Sequence, residues 1–213
     1  MFTMIKMFKI GLILLVFLSF ISCSDEVMEP LEKDEVYNLS FPSYFPEMTF
    51  DTSGNPVTKN GVELGRKLFY EGRLSRNNTI SCGFCHIQEN AFTHHGHTVS
   101  HGVDDRIGIR NASPIQNMAF LKQYMWDGVI HNLNEQPIIP ITNEDEMDSS
   151  MPEVISKLSS DPKYKKVFKS AYGDENITGD RVLKALSQFM ATMISANSKY
   201  DRFRQGKENF SSL

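Results

Sequence analysis

Cys82-Gly83-Phe84-Cys85-His86 is the stretch on which the reading of this chain turns. Two thiols three residues apart, followed directly by a histidine, suit the addition of both sulfurs to the vinyl groups of one haem. The imidazole then reaches the iron from the same side. A short helix supplies that geometry. Two other chemistries share the pattern, a redox dithiol and half of a zinc site. A zinc site wants two more thiols or a histidine pair, and the one further cysteine is Cys23, at the end of an apolar N-terminal segment. A thioredoxin-like dithiol wants alternating strands and helices, and no run of alternating apolar residues is long enough to build a sheet. The expectation is one covalent haem c, bound through Cys82, Cys85 and His86.

Working outward, His86, His94, His95, His97 and His101 are five of the six histidines and fall within 16 residues. His94 and His95 read as part of a solvated polar loop, and two or three of the run would also make an adventitious metal site. Beside a haem, any of them is a candidate sixth ligand, and so are Met118, Met125 and Met147; spacing does not choose among them. Residues 87–147 have no sustained period of either kind. Irregular chain of that length in a compact domain is usually functional, often wrapped around a ligand.

The flanks are helical. Val62, Leu64, Leu68 and Phe69 predict a short amphipathic helix over 61–70, with Gly72 as its stop. Ser150-Met151-Pro152 and Asp161-Pro162 each place a capping residue before a proline in the first turn of a helix, and Gly173 closes the second. Thr178 caps a longer helix with Val182, Leu186, Phe189 and Met193 on one face. From Leu39 to Asn60, Pro42, Pro46, Pro56 and Ser53-Gly54-Asn55 predict irregular chain. The fold expected is mostly α, a cytochrome c-like haem domain with long irregular loops.

The 213 residues are 40% hydrophobic and 23% charged, a globular composition, and three cysteines cannot staple an extended disulfide scaffold. The formal charge of −4, with no basic cluster, sets nucleic acid aside. Met1 to Lys9 carries two lysines and no acid, and Ile10 to Ile21 is apolar but short for a bilayer, which fits a signal-peptide core. Ser22 before Cys23 resembles a bacterial lipoprotein signal in which Cys23 is lipidated; ordinary secretory cleavage nearby is the alternative. Removal of 1–22 takes away Lys6 and Lys9 and no acid, so −4 becomes −6. Residues 23–45, acidic at the start, read as a solvated tether, and 46–213 as the haem domain. Ser24-Asp25-Glu26 is similar to a lipoprotein surface-export signal. The localisation expected is the periplasm or cell surface, lipid-anchored to the outer membrane.

Taken in order, further segments resemble one family. Gly65-Arg66-Lys67-Leu68-Phe69, Leu74-Ser75, Ile80-Ser81 with the haem motif, Ala91-Phe92-Thr93 and Arg110-Asn111-Ala112-Ser113-Pro114 come first. Met125-Trp126-Asp127-Gly128, Glu135-Gln136, Glu146-Met147, Tyr200-Asp201-Arg202-Phe203 and Gly206 follow. They are similar to the bacterial di-haem cytochrome c peroxidases, over about Asn55 to Gly206. The resemblance implies that His86 is the proximal ligand of the peroxide-reacting haem. It matches His101 to a removable distal histidine that only some members have. It makes Gln136 and Glu146 the distal glutamine and the acid–base glutamate, and Trp126 an electron relay between haems. Asn111 matches a residue of a calcium site. The partners implied are hydrogen peroxide and a small electron-donor cytochrome or cupredoxin; a homodimer is a further candidate, since oligomeric state does not follow from the sequence.

The peroxide chemistry has a physical basis of its own. Heterolysis of peroxide moves a proton from one oxygen to the other, which a carboxylate within reach can do, especially with its pKa raised by an apolar pocket. An amide can hold the substrate without titrating. For Glu146 the competing reading is a solvated acid beside Glu144, Asp145 and Asp148; for Trp126 it is a core aromatic. No second CxxCH occurs in the 213 residues, whereas the family carries a second haem domain. A non-enzymatic haem electron carrier, or a truncated remnant of a di-haem peroxidase, is therefore the alternative expectation.

Overall fold

The structure is a computed structural model in which residues 34–209 are described; the signal segment, Cys23 and the first part of the tether lie outside them. Among the described residues, seven helices carry the fold: α1 (Lys59–Phe69), α2 (Cys82–Cys85), α3 (Ile138–Thr142), α4 (Met151–Ser159), α5 (Pro162–Tyr172), α6 (Gly179–Ala191) and α7 (Lys199–Arg204). Single 3₁₀ turns at 72–74, 88–90, 103–105 and 118–120 punctuate the irregular stretches. Among the described residues there is no strand, only isolated bridges such as Tyr124 with Ile130.

Caps account for most helix boundaries. Thr58 Oγ1 accepts from Gly61 N at 3.1 Å, so α1 begins two residues before the expected position, where the apolar periodicity is not yet visible. The helix ends at Tyr70, and Gly72 opens a 3₁₀ turn instead of serving as the stop. Ser150 and Glu153 form a reciprocal capping box on α4, and Asp161 Oδ1 accepts from Lys163 N at 2.9 Å to start α5. Gly173 closes α5 at a φ of 85°, the left-handed conformation that glycine adopts without a steric cost. Thr178 caps α6, which ends at Ala191, so Met193 falls beyond the face expected for it.

The core forms where α1 crosses α6. Leu64, Leu68, Val182 and Leu186 are buried there. Gly65 lets the two backbones meet: a Cβ at that position would lie 1.9 Å from Ala185 O. One turn earlier, Gly61 faces Gln188. That amide is a junction: its Oε1 accepts from Thr58 N at 3.1 Å, and its Nε2 donates to Asn55 Oδ1 at 2.8 Å. Asn55 Nδ2 in turn donates to Asn134 Oδ1 at 2.8 Å and to Lys184 O at 3.0 Å. Buried amides paired in this way pin the irregular chain near 55 and 134 onto α6 without an unsatisfied group.

The stretch expected to end a solvated tether is structured from its first described residues. Tyr37 N donates to Val57 O at 2.9 Å and Lys59 N to Glu35 O at 2.8 Å. Phe41 meets Phe120 edge-on at 4.9 Å, and Tyr44 Oη donates to Asp201 Oδ1 at 2.7 Å. The boundary at 45 is therefore corrected. The acids at 25–35 suggested solvation, while Tyr37, Phe41, Tyr44 and Phe45 supply apolar surface that packs on the domain.

A polar joint ties the turn after α1 to α5. Glu71 accepts from Arg73 Nε and Nη2 and from Tyr164 Oη at 2.8–2.9 Å, while Arg73 Nη1 donates to Asp161 Oδ2 at 3.0 Å. Burial opposes the charge on Glu71, but these donors outweigh it and hold the carboxyl at about 2. A depressed carboxyl contributes stability above the ordinary carboxylate range that is lost as pH falls towards 2. Glu71→Gln is expected to cost about 1–2 kcal/mol of unfolding free energy at pH 7, a difference that shrinks on acidification. Urea titrations at both pH values measure it. Gly65→Ala is expected to cost about 1–3 kcal/mol by forcing α1 off Ala185, read as a lowered urea midpoint.

Candidate haem site

α2 is a single turn, closed where His86 N donates to Cys82 O at 2.9 Å. It presents Cys82, Cys85 and His86 to one enclosed, largely apolar cavity, whose lining also includes Phe69, Ile80, Ile115, Leu186 and Met190. Gln136, Pro137, Pro140, Glu146 and Met147 complete it. The structure thus brings together six residues singled out from the sequence, Cys82, Cys85, His86, Gln136, Glu146 and Met147, although Glu146 lies 64 positions after Cys82.

His86 is oriented from outside the cavity. Its Nδ1 lies 2.9 Å from Phe92 O, which fixes the proton on Nδ1 and leaves Nε2 as the free lone pair. Ala91 and Phe92 adopt φ of 56° and 55°, sparsely populated for residues with a side chain, and this tight turn aims the Phe92 carbonyl. Burial lowers the pKa of His86, which keeps the imidazole in its neutral, ligating form. Sequence reasoning missed the Phe92 carbonyl because a backbone group leaves no mark on residue identity.

Both cysteines are free thiols. Burial pushes Cys82 up to about 12 and Cys85 up to about 11, whereas a redox dithiol needs a thiolate at neutral pH. Two adjacent unpaired thiols, a neutral imidazole with Nε2 available and an apolar cavity between them fit a covalently held porphyrin.

The polar groups in that cavity are few. Burial raises the pKa of Glu146, a smaller effect of Asp145 acts in the same direction, and a bond of 2.9 Å from Asn143 Nδ2 to Oε1 opposes both. Glu146 is therefore not the solvated acid of the competing reading. Gln136 Nε2 donates to Met125 Sδ at 3.5 Å, which leaves its amide oxygen as the free atom. Of the three methionines considered as ligands, buried Met147 lines the cavity, Met118 lies in the core, and Met125 holds Gln136.

The remaining candidates lie elsewhere. His101 is not among the cavity-lining residues; its carbonyl oxygen is 3.6 Å from Cys85 Sγ. Its ring centroid is 4.8 Å from that of His97 and 6.2 Å from that of His94. His94 is half-buried, with Nδ1 sealed from solvent and unpartnered, so it is not the solvated loop residue expected. Among the described residues, no three His, Cys, Asp or Glu side chains are grouped so as to hold a metal ion. Trp126 is 63% exposed and donates its indole N–H to Asn111 O at 2.8 Å, so it is not a core aromatic. Asn111 uses Nδ2 on His94 O and Oδ1 on Ala112 N.

A helical domain whose CxxCH turn opens onto an apolar cavity with one amide and one raised carboxyl is a c-type haem domain. The model of the di-haem cytochrome c peroxidase family matches residues 59–209, and the chain belongs to that family. Membership implies covalent haem c. Methylamine utilization protein MauG of Methylorubrum extorquens is 34% identical over 171 residues, covering 77% of this chain and 46% of that protein. Cytochrome c peroxidase Ccp of Escherichia coli is 36% identical over 155 residues, covering 72% of this chain and 33% of its own. The crystal structure of a MauG-like protein associated with microbial copper homeostasis superposes with a TM-score of 0.76 at 32% identity, over 82% of this chain and 52% of that one. The chain thus spans about half the length, or less, of these relatives.

Cys82→Ala is expected to release haem that the parent retains through acid–acetone extraction. Haem staining after denaturing electrophoresis, where only thioether-bound porphyrin survives, measures it.

Proposed function

We propose that this chain is the peroxide-reacting domain of a c-type haem peroxidase, reducing hydrogen peroxide to water with electrons from a small cytochrome or cupredoxin. The observation that supports it best is the pairing of Gln136 and a half-buried Glu146, its carboxyl raised by loss of water, on the cavity that Cys82, Cys85 and His86 also line. A haem protein that only carries electrons has no use for a buried carboxyl, which is costly to keep in an apolar wall. Haem, once attached, supplies the iron at which the peroxide O–O bond is cleaved. The chain's own residues handle the protons. Glu146 takes a proton from one peroxide oxygen and returns it to the other, which leaves as water. Gln136 accepts a hydrogen bond through its free amide oxygen and keeps the substrate in register without titrating. His86, held by Phe92 O, supplies the neutral nitrogen for the iron.

Other parts of the reading rest on the sequence and the family resemblance. The single CxxCH in these 213 residues holds one haem in this stretch. Export and lipid anchoring through Cys23 place the protein in the periplasm or on the cell surface, attached to the outer membrane. Trp126, exposed beside Asn111, suits a relay that passes electrons across a contact with a partner. His101, whose ring lies beside those of His94 and His97, would be a removable ligand of the haem iron. A calcium ion at Asn111 would be held by Oδ1, which also accepts from Ala112 N. A homodimer is part of the same proposal.

Glu146→Gln is expected to lower peroxide turnover by about 10²–10⁴-fold with haem content unchanged. In the parent, activity falls as pH drops through the raised value of Glu146, because the proton acceptor is then already occupied; the variant lacks that limb. Steady-state rates across pH with a reduced cytochrome donor provide the measurement, and parental activity in the variant removes the acid–base role.

A further inference from the structure

Asn143, the residue after α3, commits every polar group it has. Its backbone oxygen accepts from Glu146 N at 3.1 Å and from Asp148 N at 2.9 Å. Its Oδ1 accepts from Asp145 N at 3.1 Å, and its Nδ2 donates to Glu146 Oε1 at 2.9 Å. Among the described residues, no other side chain bonds the Glu146 carboxylate.

The backbone of this loop is also held from outside. Asp148 Oδ2 accepts from Arg76 Nε at 2.9 Å and Arg106 Nη1 at 3.0 Å, and Arg106 Nη1 donates to Glu144 O at 2.7 Å. Val103 N donates to Glu146 O at 2.8 Å, and Arg76 N to Met147 O at 2.9 Å. The loop therefore has anchors that do not involve the Asn143 side chain. What the Nδ2 donor alone supplies is the orientation of the carboxylate. A glutamate side chain with three free torsions loses rotamer freedom when it acts, and a bond made in advance removes that cost from the reaction.

We propose that Asn143 is the positioning residue of this site, its amide holding one oxygen of Glu146 so that the other is presented to the cavity Glu146 lines. The inference rests on the peroxidase reading above and deepens it. Asn143 donates to the carboxylate form, so it also favours the ionised state that accepts a proton, against burial and against Asp145. Arg76 and Arg106 face Asp148 rather than Glu146, so the amide is the residue set against those two effects.

The test uses Asn143→Asp, which keeps an oxygen to accept from Asp145 N but loses the donor, and Asn143→Ala, which loses it without adding charge. In both holoproteins kcat for peroxide is expected to fall about tenfold or more with KM for peroxide little changed, and the acid limb to move to higher pH. Haem content and the Soret band stay parental. Parental kcat and pH profile in both variants overturn the proposal. A second readout needs no turnover: infrared titration of the Glu146 carboxyl C=O band, identified by its loss in Glu146→Gln. The band is expected to titrate at higher pH in Asn143→Ala than in the parent, and an unmoved titration overturns the proposal even in an inactive protein. Absence of peroxide turnover in the parent overturns the peroxidase reading instead, and the infrared result then decides the role of Asn143 alone.

Discussion

The close crossing of α1 and α6 is the constraint on which the rest of the site depends. Because Gly65 admits Ala185 O, the two helices approach closely enough for Leu186 and Met190 of α6 and Phe69 of α1 to form adjoining parts of one wall. Phe69 then packs edge-on against Phe189 at 5.3 Å and stands 6.4 Å from both Phe92 and His86. Helix packing, the aromatic wall and the turn that orients the imidazole are thus one connected arrangement. A side chain at the crossing would disturb the cavity as well as the core.

Within that wall the electrostatics are economical. His86 and Glu146 are both shifted towards their neutral forms by loss of water; the shift of His86 is opposed by the backbones of Phe92 and Ser113, and that of Glu146 by Asn143 Nδ2. The imidazole needs nothing more, because neutral is the form that ligates. The carboxyl does if it is to serve as the proposed proton shuttle, which must be able to ionise within the working pH range. One neutral donor suits this better than a cation, which would pull the pKa down to the level of Glu71.

Much of this was legible in the residues. The haem motif fixed three contacts, and the caps Ser150, Asp161 and Thr178 with the stop at Gly173 located three helices because capping is local chemistry. Glu146 and Gln136 were found through family resemblance, since nothing in an acidic stretch shows that one acid points inward. Three things were not legible. Tyr37, Phe41 and Tyr44 dock on partners as distant as Asp201, a tertiary matter that composition averages away. His94 is sealed by the fold rather than by its own polar neighbourhood. The Phe92 carbonyl depends on two left-handed residues that no propensity favours.

Gly102 joins the histidine-rich stretch to the acid loop. A Cβ there would lie 2.2 Å from Asp145 O and 2.4 Å from Glu146 O, and the next residue, Val103, donates its N–H to Glu146 O. The chain just after His101 is therefore bolted to the backbone of Glu146. Any excursion of the imidazoles at 94, 97 and 101 pivots about a fixed downstream end, and its load falls on the peptide carrying Glu146. Ring position and acid geometry consequently share one fulcrum, and the length of chain before Gly102 sets how far the imidazoles reach from it.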